Sequence, residues 1–170
     1  MSAGFVNYQK NMLRERERIH IFTDGSSWAG RGGWGAVLIY DDARLEISGG
    51  VRIATNNSME LQAILEGLRA VTRPDTPTRV YSDSKYCLQS LTEWWGKWER
   101  NGFRTVQGKP VKNLEAMQAI QAERERFREL TFCWIKGHAG FHYNEMADEL
   151  ASNARKTQRG VRRRSSRSEK

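Results

Sequence analysis

Three strand-like runs in succession, followed by a switch to helical spacing, restrict this chain more than any other feature. Ile19–Thr23 alternates β-branched and aromatic residues and closes on Asp24-Gly25. Ser26–Gly33 is small and glycine-rich and reads as a loop. Trp34–Tyr40 reads as a second strand, Asp41-Asp42-Ala43 as a hairpin turn, and Arg44–Ile53 as the returning strand. Connections this short join antiparallel neighbours, so the three predict a meander.

The period then changes. Asn57 stands where a helix cap belongs, with Glu60 three residues on as in a capping box, and Leu61, Ile64, Leu65, Leu68 and Val71 mark one helical face. Pro74 and Pro77 end it. Thr78–Ser82 is a short strand closing on Asp83, and Lys85–Trp95 predicts a helix. A further amphipathic helix carries Leu114, Met117, Ile120, Phe127 and Leu130 on one side. Thr131–Ile135 is a last strand, Lys136–Gly140 a loop, and Tyr143–Lys156 a final helix. The order β-β-β-α-β-α-α-β-α predicts one α/β domain over 19–156: a five-stranded mixed sheet flanked by helices. Met1–Arg18 shows no clear period and is set apart as an N-terminal extension.

The net charge of +8 is concentrated at one end. Arg155–Lys170 holds eight basic residues and one Glu, so the globular part is nearly neutral. Residues 157–170 are expected to be a disordered basic tail that attracts polyanions. The longest apolar stretch, Ala36–Tyr40, is far short of the ~18 residues a membrane helix needs, and no secretory signal pattern opens the chain. Two cysteines, Cys87 and Cys133, make no disulfide framework and fit reduced thiols in the cytoplasm.

Four acids stand out. Asp24 and Asp83 close predicted strands, where open α/β sheets place ligand sites. Glu60 lies in the first turn of the first long helix and Asp148 in the last helix. Taken singly, each has a plainer role: turn chemistry for Asp24, a cap for Glu60 and Asp83, a solvated helix position for Asp148. Together, carboxylates brought this close need a cation, and an oxygen-only set without a Cys or His cluster selects Mg²⁺ or Mn²⁺ over zinc.

The strings around these acids carry a resemblance. Ile21-Phe22-Thr23-Asp24-Gly25-Ser26, Thr55-Asn56-Asn57-Ser58-Met59-Glu60-Leu61, Tyr81-Ser82-Asp83-Ser84-Lys85-Tyr86 and Trp134-Ile135-Lys136-Gly137-His138-Ala139-Gly140 resemble the signature segments of type 1 ribonuclease H. Asn144-Glu145 and Asp148-Glu149-Leu150-Ala151 resemble that family's final helix. The agreement runs in order from Ile19 to Ala154.

The resemblance implies a ribonuclease H-like fold and an endonuclease that cuts the RNA strand of RNA/DNA hybrids, leaving 5′-phosphate and 3′-hydroxyl ends. It implies two Mg²⁺ ions, with Mn²⁺ as a substitute, held by Asp24, Glu60, Asp83 and Asp148, and a proton-relay or product-release role for His138. It also implies a monomer without an obligate protein partner.

Trp94 through Lys112 interleaves aromatic and basic residues and resembles the family's basic protrusion. Trp94 and Trp98 are expected on the DNA strand, with Lys97, Arg100, Arg104 and Lys112 on phosphates. Thr55 matches a DNA-phosphate position, and Ser27, Asn56 and Asn57 are placed near the minor groove and the 2′-hydroxyl. The sequence also departs from the pattern. Ser26–Gly33 is shorter than the usual loop and lacks its Asn and Pro. Lys85 stands where Gln is familiar, close to Asp83, and is expected either to add a phosphate contact or to alter metal affinity, and Glu99 and Asn101 thin the protrusion's charge. Exonucleases of this fold carry Asp-x-Glu in the first strand, unlike Asp24-Gly25-Ser26, and transposases lack the acid that Glu60 supplies. A binding module without activity is expected to have lost an acid, and none is lost.

Overall fold

The computed structural model describes residues 16–166. The N-terminal extension expected over residues 1–18 falls almost wholly outside that range. Strands β1 (Ile19–Trp28), β2 (Arg31–Tyr40) and β3 (Ala43–Val51) form the meander. Helix α1 (Asn56–Arg69) follows, then β4 (Thr78–Ser82), α2 (Lys85–Leu91), α3 (Trp95–Arg100), α4 (Leu114–Arg124), β5 (Leu130–Trp134), α5 (His142–Thr157) and β6 (Arg162–Ser166).

The sheet has six strands in the order β5-β4-β1-β2-β3-β6. The pairs β1–β4 and β4–β5 are parallel; β1–β2, β2–β3 and β3–β6 are antiparallel. Two expectations are corrected here. The five-stranded sheet gains a sixth strand, and Arg162–Ser166, expected to be disordered, pairs with Ala43–Ile47 of β3. An edge strand needs only a partner with free backbone groups, and β3 offers that edge. Arg163 adds an ion pair to Glu46 at 3.4 Å, and Val161 accepts a hydrogen bond from the Ser48 amide.

The stretch read as a loop at Ser26–Gly33 is also strand. The meander turns at Ala29-Gly30, both in the left-handed region (φ 51° and 78°), as a two-residue hairpin of the primed type requires. Trp28 pairs with Arg31 at its tip.

One face of the sheet is covered by α1 and α4. Ile21, Ala36, Ile47, Leu61, Ile64, Leu68, Val80, Met117 and Ile120 form the main core there. On the other face, Ala147 and Leu150 of α5 pack on Val37 and Ile39. The predicted apolar stripe of α1 is buried, but its cap is not the expected one. Thr55 is the N-cap, closing a reciprocal box with Ser58, so Glu60 is released from capping. At the other end Arg126 donates to the carbonyl of Leu68 at 3.0 Å. Two helices are shorter than expected: α2 stops at Leu91 and α4 at Arg124. Phe127 and Leu130 still pack against the main core.

Candidate active site

Asp24 lies two residues past the last β1 residue paired in parallel with β4, and Asp83 directly follows β4. The two acids therefore lie on adjacent strands just past their parallel pairing; β1 itself runs on to Trp28, so Asp24 does not close its strand as expected, while Asp83 does. Glu60 reaches them from the second turn of α1. One carboxylate oxygen from each of Asp24, Glu60 and Asp83 lies within 4.8 Å of the others. Asp24 and Glu60 are buried, and Asp83 is half-buried.

Gly25 makes this approach possible. A Cβ at that position would fall inside the backbone of Met59 and Glu60, so no other residue lets β1 lie against the first turns of α1. Thr23 donates to the Tyr81 carbonyl at 2.8 Å, fixing β1 against β4 beside the acids.

The electrostatics follow from burial. Desolvation pushes Asp24 up to about 7, opposed by its hydrogen bond with Glu60 and reinforced by the charges of Asp83 and Asp148. Burial, then the Asp24 charge, holds Glu60 well above the usual carboxylate range. Burial also raises Asp83, against its own backbone hydrogen bond and the charge of His138. In the absence of a cation, Asp24 and Glu60 share a proton. Oε2 of Glu60 is buried with no hydrogen-bond partner. A buried acceptor left unpaired is costly, and a cation between the carboxylates would satisfy it.

Asp148, half-buried on α5, lies outside the three-carboxylate group, although its charge acts on both Asp24 and Asp83. His138 is exposed with φ 54° in the loop between β5 and α5. It is near enough to Asp83 for its charge to lower that carboxyl. Gly137 beside it leaves room for the carboxylate: a Cβ there would sit 2.6 Å from Oδ2 of Asp83.

The positions expected to meet nucleic acid divide into two groups. Near the acids, Asn56 Oδ1 accepts from the amide and hydroxyl of Ser27 at 3.1 and 2.8 Å, which ties α1 to the β1–β2 hairpin. Thr55 and Asn57 are exposed beside it. Lys85 is exposed, with its Nζ 4.4 Å from the centre of the Trp134 ring. Trp134 was not among the expected site residues, yet its indole nitrogen donates to the Asp83 carbonyl at 3.0 Å. Only its place before Ile135-Lys136-Gly137-His138 hinted at this.

The second group lies around α3. Trp94 and Trp98 have ring centres 5.8 Å apart, and Tyr86 meets Trp94 at 5.9 Å. Trp98 also packs against the main core, as does Trp95. Lys97, Arg100, Arg104 and Lys112 are exposed, with Arg104 donating to the Gly108 carbonyl at 3.0 Å. Elsewhere His20 is buried against the Tyr81 hydroxyl at 2.8 Å, as befits an ordinary strand residue.

A mixed sheet with carboxylates gathered where two neighbouring parallel strands part defines an α/β protein with an acidic metal-binding centre. The family model described as RNase H matches residues 16–156. A ribonuclease H of Saccharopolyspora erythraea is 45% identical over 139 residues, covering 81% of this chain and 90% of that protein. One from Rhizobium meliloti is 47% identical over 137 residues, covering 79% and 88%. Among solved structures, a type 1 RNase H carrying the type 2 active-site motif superposes with a TM-score of 0.75 at 24% identity, over 85% of this chain and 75% of that one. The N-terminal RNase H domain of a Mycobacterium tuberculosis protein does so at 0.66 and 27% identity, over 83% and 95%. The chain belongs to the RNase H family.

Proposed function

We propose that the chain hydrolyses the RNA strand of RNA/DNA hybrids endonucleolytically, with two Mg²⁺ ions as cofactor and 5′-phosphate and 3′-hydroxyl products. The observation that carries this reading is the group of buried Asp24 and Glu60 with half-buried Asp83, in which Oε2 of Glu60 has no hydrogen-bond partner. These are hard oxygen donors and fit Mg²⁺ or Mn²⁺. Bound there, two divalent ions supply a water of lowered pKa and neutralise charge on the phosphate and the departing 3′ oxygen.

The chain's residues do the rest. Asp24, Glu60 and Asp83 hold the cations and give up the proton that Asp24 and Glu60 otherwise share. Asp148 adds negative charge from α5 and completes the set of ligands. His138, on an exposed loop beside Asp83, takes or returns a proton at its imidazole as product leaves. Asn56, oriented by Ser27, turns its amide nitrogen to the minor groove, where with Asn57 it distinguishes a 2′-hydroxyl from hydrogen. Thr55 and Lys85 meet phosphates beside the acids, and Trp94, Trp98, Lys97, Arg100, Arg104 and Lys112 hold the DNA strand.

The protein acts as a monomer in a cytosolic compartment. That placement is supported by its two thiols, which form no disulfide; burial pushes Cys87 to about 12. End-group analysis of the cleaved RNA tests the reaction. Fragments that ligase joins without prior phosphorylation support it, and 3′-phosphate ends contradict it.

A further inference from the structure

The acids account for one end of the sheet, but the strongest concentration of unused charge lies elsewhere. The sixth strand creates a groove on the face that carries α1. Two adjoining cavities, about 400 and 350 Å³, share Ala70 and Thr72 and run between the C-terminal end of α1 and the β3–β6 edge. The floor is apolar, from Leu38, Leu45 and Ile47 to Val71.

Strand alternation decides which arginines face this groove. Arg162 is the register partner of Ile47 and Arg164 that of Leu45, so both project on the side of α1. Arg163, between them, projects to the opposite side and is held by Glu46 at 3.4 Å. Arg162 and Arg164 have no ion pair among the described residues. Same-face residues on a strand stand about 6–7 Å apart, close to the interval between successive phosphates of an extended strand. Across the groove Arg73 is exposed, and Arg69 is exposed with Glu66 at 3.1 Å. The helix carbonyls need neither of them, since Arg126 already caps that end.

A row of guanidinium groups over an apolar floor matches one kind of partner: a single nucleic-acid strand, its phosphates on the arginines and its bases against the floor. A duplex would present phosphates but no base faces. From Glu60 to Arg69 the helix climbs about 13–14 Å at its usual rise, so the groove is separate from the acid centre. We propose that the groove bounded by Arg162, Arg164 and Arg73 binds single-stranded nucleic acid independently of the cleavage site.

The test is binding of a fluorescein-labelled oligothymidylate to the full chain, without divalent metal, across a salt series. The double variant R162A/R164A is expected to weaken binding about tenfold and to flatten the plot of log affinity against log salt by about 1.4, the value for two lost phosphate contacts on a single strand. Arg163→Ala removes one charge from the other face of the same strand and is expected to leave that slope unchanged. Cleavage of a short blunt-ended RNA/DNA hybrid by the double variant should match that of the unaltered chain. A flattening of about 0.7 in Arg163→Ala, one charge's share of the double variant's loss, would mean non-specific attraction to a basic segment and would overturn the proposal. So would an unchanged slope in the double variant, or a parallel loss of cleavage on the short hybrid. Failure of the cleavage reading would show separately, as no cutting by the unaltered chain.

Discussion

Gly25 and Glu60 meet backbone to backbone, and that contact brings the Asp24 and Glu60 carboxylates into one buried pair. The site is thus assembled by a strand and a helix approaching as closely as the chain allows, in a cost that a missing Cβ removes. Gly25→Ala would force β1 and α1 apart. It should destabilise the chain by about 2–3 kcal/mol and remove most cleavage activity, measured by denaturant unfolding and by hybrid cleavage on the same preparation. Full activity with unchanged stability would contradict the packing described.

The raised Asp24 and Glu60 carboxyls fix the sign of a pH effect. A carboxyl held above its ordinary value favours the folded state while protonated. Its contribution is complete below about 3.8 and is lost as pH rises through about 7. Without divalent metal, Asp24→Asn should therefore stabilise the chain at pH 8, by about 1–3 kcal/mol, and hardly at all at pH 3. A thermal melting series in EDTA measures this.

Metal binding must displace the same proton. Adding Mg²⁺ should raise the melting temperature at pH 8 and much less at pH 5. Asp24→Asn should erase most of the difference. An equal rise at both pH values would mean that the ion binds elsewhere.

Gly137 guards the other side of the cluster. Gly137→Ala would press a methyl group to 2.6 Å from Oδ2 of Asp83, a flexible end that can swing aside. The fold should survive, while activity falls about ten- to a hundredfold through displacement of the carboxylate. Melting and cleavage measured together separate the two effects.

The sixth strand covers the β3 edge. Removing residues 162–170 should lower stability and expose Ala43–Ile47 to pairing with other chains. Sedimentation of the shortened chain would show self-association that the full chain lacks.

Much of this was legible in the sequence, for identifiable reasons. The meander, α1, β4, β5 and α5 were readable because each buries one side, and the burial imposes a period on Leu61, Ile64, Leu65 and Leu68 or on Val80. The acids were legible through their flanking strings. The hairpin at Ala29-Gly30 was missed because glycine-rich, polar residues signal turns, whereas here they extend a strand pair toward solvent. The cap was misplaced by two residues because Asn57 and Glu60 match the box as well as Thr55 and Ser58 do. The sixth strand was invisible: Arg162–Ser166 has no apolar residue, and only the open edge of β3 makes a strand of it. Trp134 carries no such signal, because its indole holds the backbone carbonyl of Asp83, a contact no side-chain motif records.

The most direct measurement is cleavage of an end-labelled RNA/DNA hybrid with Mg²⁺, beside duplex RNA, duplex DNA, an EDTA control and Asp24→Asn. The expected result is cutting of the hybrid's RNA strand alone, abolished by EDTA and by the substitution. Cutting of DNA, or tight hybrid binding without any cutting in Mg²⁺ or Mn²⁺, would contradict it.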